Sequence, residues 1–279
     1  MTTPSEALDL AGTLSRDLSH IDGVRAVVLG GSQARGTVTP QSDVDIGIYY
    51  RGELDTDSIN RLVKNLCPGA TATPIGGWGP WINGGAWLNV DGQAVDFIYR
   101  DLDKVEATIQ DCLEGRVTRH LQPGHPHGFF NYIYAGELFF AKTLHDPSGE
   151  IQAIKQALDP YSPKLKQAIF DNSLWPAAFA LEVATKATAR RDSTYVAGCL
   201  FECAGDLVQV LHALNEQYFL NEKGSVNAVE AFARKPENFS ARVREAMGSV
   251  GEDPEVLKGN IADFCKLCDE TLQLIGDQG

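Results

Sequence analysis

The stretch "VLGGSQARGTVTPQSDVDIGIYY", residues 28–50, contains the most informative pattern in this sequence. An apolar run stops at Gly30 and Gly31, a turn-rich segment follows, and Asp43 and Asp45 then stand one residue apart in a second apolar run. Side chains two residues apart on a strand point to the same face of the sheet. Two carboxylates held that close repel each other, so the pattern predicts a positive group between them.

The residues around the two aspartates indicate what that positive group is. Val44, Ile46 and Ile48 alternate with the aspartates and point to the opposite, core-facing side of the strand. Carboxylates fixed on the open side of such a strand are costly unless a cation neutralises them. Mg²⁺ binds one or two carboxylates together with substrate phosphate oxygens, so we predict a magnesium site here.

The glycine turn before the aspartates predicts a phosphate site. Gly30 and Gly31 allow backbone angles that side chains forbid, and they let another molecule approach the chain closely. Ser32 then begins a short helical turn, which "GTVTPQS" ends. Free N–H groups at a helix start favour phosphate, and the Ser32 hydroxyl adds one more donor.

A third carboxylate lies further along, where Asp96 stands alone in the apolar run "AVDFIYR". If this run forms a strand beside the Asp43 strand, three carboxylates meet. Three are enough for two metal ions, or for one ion and a general base. A phosphate-binding turn with three carboxylates is what in-line phosphoryl or nucleotidyl transfer requires.

The whole pattern resembles the signature of the nucleotidyltransferase superfamily, which includes DNA polymerase β and the aminoglycoside nucleotidyltransferases. Gly31, Ser32, Asp43 and Asp45 match its first part, and Asp96 matches its later carboxylate. The resemblance implies transfer of a nucleoside monophosphate, usually from ATP with Mg²⁺, to a hydroxyl. The turn would hold the triphosphate, Asp43 and Asp45 the metal ions, and Asp96 would share a metal and take the proton.

Two basic residues are further candidates for the nucleotide site. Arg35 is predicted to pair with a phosphate or a carboxylate, and a structural salt bridge is the alternative. Lys223 follows a long helical pattern, and the resemblance implies that such a lysine contacts the triphosphate.

The chain is predicted to be α+β, with a small mixed sheet in an N-terminal domain of residues 1–124 and a helical bundle in residues 125–279. Residues 86–100 read as two strands joined by Asp91-Gly92, a strong hairpin signal. Residues 55–67 read as a helix capped by Asp57 or Ser58, and residues 5–18 as a helix capped by Ser5. Residues 129–144 show a helical pattern, which we assign to the bundle.

Composition narrows the classes of partner. The 279 residues carry a formal net charge of −13 and no basic stripe, which argues against a nucleic-acid partner. An acidic surface attracts a cationic substrate. The alternative is that the acidic residues only keep the protein soluble. The chain has no long uncharged apolar run and no secretory signal, so we expect a cytoplasmic protein with no membrane partner.

Three other features are ambiguous. Cys199, Cys203, Cys265 and Cys268 have the spacing of a four-thiolate zinc site, but buried cysteines in helical cores are common. The segment "GGWGPWINGGAW", residues 76–87, offers either stacking platforms for a base or sugar, with Asn83 as a polar contact, or a packed loop. His125 and His127 suggest a metal or a substrate contact, and we interpret them as incidental loop residues.

The leading interpretation is an enzyme that uses an NTP and Mg²⁺, one ion or two, to modify a hydroxyl on a small, cationic, aminoglycoside-like acceptor. Transfer to a protein or an RNA end is the second interpretation. The third is a nucleotide-binding module without turnover. The sequence names neither the preferred NTP nor the oligomeric state.

Overall fold

A computed structural model of the chain describes residues 4–35 and 42–277. These residues form two compact units. The first contains residues 4–35, 42–111, 120–124 and 131–160, and the second contains residues 112–119, 125–130 and 161–277. The chain therefore passes between the two units more than once. It alternates between them over residues 112–130, which we call the crossing stretch, and the boundary predicted at residue 124 lies there.

The first unit is built on a five-stranded mixed sheet with the strand order β3-β4-β2-β1-β7. Its strands are β1 (Val24–Leu29), β2 (Val44–Tyr50), β3 (Gly85–Val90), β4 (Gln93–Asp101) and β7 (Lys142–His145). Its helices are α1 (Pro4–Ser19), α2 (Gly31–Arg35), α3 (Thr56–Leu66), α4 (Leu102–Leu113), α5 (Ile133–Phe140) and α6 (Glu150–Ala157). Only β2 and β4 run parallel among the described neighbouring strands.

One face of this sheet is the core of the first unit. Val44, Ile46 and Ile48 of β2 are fully buried, as are Val95 and Phe97 of β4. Helix α1 presents buried side chains at helical spacing to the same core, namely Ala7, Ala11, Leu14 and Leu18. The predicted α+β class and small mixed sheet are confirmed.

The predicted hairpin is also confirmed. β3 and β4 pair antiparallel, with Val90 opposite Gln93. Asp91 and Gly92 between them have φ values of 51° and 87°, as a tight turn with both central residues in the left-handed region requires.

The predicted helix caps were wrong in detail. Helix α3 begins at Thr56, and its cap is Asp55, whose Oδ1 accepts a hydrogen bond from the Ser58 N–H at 2.9 Å. Asp55 rather than Asp57 or Ser58 is the cap because it lies three residues before a free N–H. Ser5 lies inside α1, since the helix is already formed at Pro4.

The helix predicted over residues 129–144 was wrong. Phe129 and Phe130 end a strand, only residues 133–140 are helical, and Lys142–His145 form strand β7 beside β1. Pairing with β1 satisfies backbone groups of both strands, and this gain overrides a local helical pattern.

The second unit is largely helical. Its helices are α7 (Pro163–Thr188), α8 (Ser193–Leu214), α9 (Ser225–Ala228), α10 (Phe239–Gly248) and α11 (Pro254–Gly276), with a 3₁₀ turn at Val229–Ala231. β5 (Arg119–Gln122) and β6 (His125–Phe130) form a two-stranded sheet in the crossing stretch. Ser162, Asp192 and Asp253 cap the three long helices with side-chain oxygens.

Helix α8 is the one helix of residues 4–35 and 42–277 that is long and apolar enough to cross a membrane. Most of it is buried among the other helices of its unit, and it carries Glu202 and Asp206. These are the properties of a core helix.

Candidate active site

The open face of the sheet carries a row of side chains across three strands. Asp45 of β2 and Asp96 of β4 are register partners on parallel strands, so their side chains leave the sheet on the same face. Trp87 of β3 is the partner of Asp96 on its other side. The Gly30 N–H donates to the Asp45 carbonyl at 2.8 Å, which places the glycine turn at the fourth position of the row.

The turn and the carboxylate fit together at Gly31. Its φ is +58°, and a Cβ built on it would lie 1.7 Å from Asp45 Oδ2. Only glycine leaves room for the carboxylate there, and glycine adopts this φ without strain. Helix α2 continues through Ser32, with the Ala34 N–H donating to the Gly30 carbonyl at 3.1 Å.

The other predicted site residues are Asp43, Arg35 and Lys223, which lie outside strands β2 and β4. Asp43 is exposed and lies just before β2, two residues ahead of Asp45, and Arg35 is exposed at the end of α2. Residues 36–41, where the sequence predicts the end of the helical turn, lie outside the described part of the chain. Lys223 belongs to the second unit, where its N–H donates to Asn221 Oδ1 at 2.9 Å. The roles of these residues remain predictions.

The open face becomes closed further along the strands. Arg100, on the same face as Asp96, is buried and makes two hydrogen bonds to Glu137 of α5, at 2.9 and 2.6 Å. Burial alone lowers the Arg100 pKa, but the Glu137 carboxylate outweighs it and the pKa is raised. This ion pair fixes α5 over the sheet, so the carboxylate row lies at the end of the face that α5 leaves open.

The tryptophan-rich segment divides into two parts. Trp78 stacks on Trp87, with ring centroids 4.4 Å apart, and Trp87 stays 67% exposed beside Asp96. Trp81 packs instead against His120, at 4.2 Å, and under the Lys104 ammonium, at 4.1 Å. Asn83 donates to the Tyr50 hydroxyl. Trp78 and Trp87 therefore keep the geometry of a stacking platform, whereas Trp81 and Asn83 hold the loop.

The cysteines do not support the four-thiolate arrangement. Cys203 and Cys268 bring their sulfur atoms to 3.7 Å. Among the described residues, the ligand atoms that gather within 4.8 Å of one another belong to His127, Glu202 and Asp206, not to the four cysteines.

The cluster of His127, Glu202 and Asp206 was not predicted from the sequence, where His127 was interpreted as an incidental loop residue. His127 is fully buried in β6, and its Nε2 lies 3.5 Å from Asp206 Oδ1 and 3.6 Å from Glu202 Oε2. Burial raises the Asp206 pKa to about 7, against the lowering effect of Arg119, and burial lowers the His127 pKa. The sequence signals at this site are the one-turn spacing of Glu202 and Asp206 and the helical Gly205 between them, and neither signal points to His127.

Residues 12–71 match the family model described as "Nucleotidyltransferase domain". The match spans β1, the glycine turn, β2 and α3, and so includes Gly31, Ser32, Asp43 and Asp45 but not Asp96. No curated protein matches the chain.

A structural relative is the crystal structure of a nucleotidyltransferase-like protein from Exiguobacterium sibiricum. It shares 9% identity with this chain at a TM-score of 0.44, over 97% of this chain and 77% of that one. A likeness this low carries no conclusion about what this chain does. The family match, however, covers the motif that the sequence analysis identified: residues 12–71 match the nucleotidyltransferase domain, which supports nucleotidyl transfer as the general chemistry.

Proposed function

We propose that the chain transfers a nucleoside monophosphate, AMP from ATP in the first instance, to a hydroxyl of a small cationic acceptor. The observation that carries the proposal is the side-by-side register of Asp45 and Asp96, with the Gly31 turn fitted against the Asp45 carboxylate. The family match supports nucleotidyl transfer in general. The identities of the nucleotide, the metal ion and the acceptor are what we propose beyond this general reaction.

In this proposal the N–H groups of the turn and the Ser32 hydroxyl bind the triphosphate, and Arg35 and Lys223 are candidates to neutralise it. The acceptor oxygen bonds to the α-phosphorus in line with the leaving oxygen, the bond to that oxygen breaks, and pyrophosphate leaves. Asp96 takes the proton from the acceptor hydroxyl as it attacks.

The residues on the row suit Mg²⁺, because two carboxylates on neighbouring strands offer the oxygen ligands that this ion prefers beside phosphate. Asp45 and Asp96, with Asp43, would hold one ion or two. Bound Mg²⁺ would supply charge neutralisation on the triphosphate.

The acceptor class is argued from charge. A net charge of −13 concentrates cations near the chain and repels phosphate backbones. A polyhydroxylated amine therefore fits better than RNA, and a protein side chain is the remaining alternative.

The test uses the four NTPs labelled at the α-phosphate, with Mg²⁺ and a panel of polyhydroxylated amines. Label on a small acceptor supports the proposal, whereas label on protein or RNA supports the second interpretation. Tight Mg²⁺-dependent binding without any transfer supports the binding module, and equal NTP affinity in EDTA would remove the metal site.

Matched variants assign the roles within the site. Asp96→Asn should slow single-turnover transfer about a hundredfold or more and leave Mg·NTP affinity unchanged. Asp45→Asn should lose both binding and transfer. Asp91→Asn, at the exposed hairpin turn, removes a carboxylate of the same kind and should change neither.

A further inference from the structure

The second unit contains a cluster of side chains that could bind a metal ion and that are not part of the nucleotidyl-transfer motif. It consists of His127 on β6 with Glu202 and Asp206 on α8, and we call it the His127 cluster. Glu202 and Asp206 are one helical turn apart and so share a face of α8. The imidazole lies on that face between them.

The packing of His127 depends on Gly205. A Cβ built on Gly205 would lie 2.5 Å from both Nε2 and Cδ2 of the imidazole. Glycine in a helix interior costs about 1 kcal/mol relative to alanine. Glycine at this position therefore serves the close approach of the imidazole to the helix.

Three polar atoms of the His127 cluster are buried without hydrogen-bond partners among the described residues. Within the described part of the chain, both ring nitrogens of His127 and Oδ2 of Asp206 have none. Buried polar atoms of this kind cost free energy unless something satisfies them. A cation held between Nε2 and the two carboxylates would satisfy the imidazole nitrogen that faces them.

We propose that His127, Glu202 and Asp206 form a binding site for one tetrahedral divalent metal ion of the zinc type. An imidazole nitrogen with two carboxylate oxygens is a ligand set that zinc accepts. The Nε2-to-oxygen distances of 3.5 and 3.6 Å are close to the ligand separation of about 3.4 Å that tetrahedral bonds of zinc length require. An octahedral Mg²⁺ ion would need adjacent ligands about 2.9 Å apart.

The surroundings of the cluster are those of a ligand shell. Arg119 donates to both oxygens of Glu202 at 2.9 Å and so fixes the carboxylate orientation, as outer-shell partners of metal ligands do. The Arg119 guanidinium in turn lies 5.7 Å from the Phe130 ring on β6. Glu202 is 41% exposed, so solvent reaches the edge of the cluster, from which a water molecule would supply the fourth ligand.

The ion would join β6 to α8 within one unit. Binding in the folded state alone stabilises that state by mass action. In this proposal the ion stabilises the second unit, and the site stands independently of the chemistry at Asp45 and Asp96.

The experiment uses the full-length chain stripped with a chelator. Calorimetric titration with Zn²⁺ should show one site per chain that raises the melting temperature. Co²⁺ in the same site should give the intense visible bands of tetrahedral coordination. His127→Gln and Glu202→Gln should each weaken this site by more than the roughly 10- to 100-fold that loss of an outer-shell partner causes.

Two control variants separate the His127 cluster from the other metal-binding groups. Cys203→Ser with Cys268→Ser tests the thiols, and Asp43→Asn with Asp45→Asn tests the sheet carboxylates. Both double variants should keep the tetrahedral site. Loss of the site in either one, octahedral Co²⁺ bands, or an unchanged melting temperature with Zn²⁺ would overturn the proposal.

Folding of the variants is checked separately. Glu202 is 41% exposed, so Glu202→Gln removes a ligand without opening the core. A folded Glu202→Gln chain that binds Zn²⁺ as tightly as the original chain would also overturn the proposal.

Discussion

Gly31 is the residue on which the carboxylate row depends, and its neighbour Gly30 provides the matched comparison. The φ of Gly31 is +58°, and its Cα lies against the Asp45 carboxylate, whereas a Cβ on Gly30 would meet nothing closer than 3.7 Å. Gly31→Ala should therefore destabilise the chain by about 1–3 kcal/mol and displace Asp45, abolishing transfer. Urea unfolding and the labelled-NTP assay measure the two effects.

Gly30→Ala is the control for this prediction. It adds the same methyl group one residue earlier, at ordinary van der Waals distance from the Asp45 side chain. It should keep the stability of the chain, as urea unfolding measures. Equal losses in both variants would mean that the turn as a whole, and not the Gly31–Asp45 contact, is sensitive to substitution.

Trp87 permits a test of the stacking platform. It is 67% exposed, stacks on Trp78 and is the register partner of Asp96. Stacking of a base on an aromatic ring is worth about 1–3 kcal/mol. Trp87→Ala should therefore weaken NTP binding about tenfold, as measured by calorimetry, with little change in melting temperature.

Trp175 provides the control for that measurement. It is 68% exposed and stacks on Phe179 in the second unit, so Trp175→Ala removes an equally exposed, equally stacked ring. If Trp175→Ala lowers NTP affinity as much as Trp87→Ala, the loss reflects general destabilisation and the platform is not at the Asp96 row.

Individual site residues could be predicted from the sequence where the two-residue period of a strand fixes the direction of their side chains. Asp45 and Asp96 each interrupt an apolar strand, so the period of two gave their faces, and the register of β2 and β4 then placed them side by side. The His127 cluster was not predictable in this way. Its members are far apart in sequence, and the imidazole position is set by the space above Gly205, which no local pattern expresses.

At the scale of elements, the wrong prediction for residues 129–144 has a physical cause. Residues 129–141 are mostly apolar, and periodicity cannot separate a buried strand from a buried helix in such a run. β7 forms because β1 offers it unpaired backbone groups. The hairpin at Asp91-Gly92 was predictable because its turn chemistry is local.

Arg51 connects three elements of the first unit and gives a prediction about pH. It follows β2 and donates to Glu106 of α4 and Glu150 of α6, each at 2.8 Å, and it also pairs with Asp103. Burial raises the Glu150 pKa, but the hydrogen bonds from Arg51 and Arg25 outweigh it and the pKa is lowered. A carboxylate with a lowered folded-state pKa stabilises the chain above its unfolded pKa of 4.5, and this stabilisation is lost as the pH falls below it.

Glu150→Gln should therefore lower the free energy of unfolding by about 1 kcal/mol at pH 7, since several charges form a network. The difference from the original chain should shrink as the pH falls from 5 to 3. Urea unfolding at a series of pH values measures it. Glu182→Gln, which breaks the exposed pair with Lys186 on α7, should change little at any pH. A Glu150→Gln deficit that stays constant down to pH 3 would contradict the prediction.

At the scale of the whole molecule, each compact unit has its own buried core. The first is the sheet with its covering helices, and the second is the helical group around α8, where Leu200, Leu207 and Leu211 are fully buried. Composition predicted this division into a mixed and a helical half. It could not predict that residues 131–160 return to the first unit, because that return is set by the pairing of β7 with β1.

Because residues 131–160 belong to the first unit, we can predict where the chain can be divided into folded fragments. A fragment of residues 1–124 follows the boundary that composition predicts, but it lacks β7 and α6. It therefore leaves β1 as an unpaired sheet edge and Arg51 without Glu150. A fragment of residues 1–160 restores both, and it should melt cooperatively, whereas 1–124 should melt broadly or aggregate through its open edge. Circular dichroism melts of the two purified fragments compare them directly. A 1–124 fragment that melts as sharply as 1–160, at the same temperature, would show that β7 adds nothing to the sheet and that the functional boundary lies at residue 124.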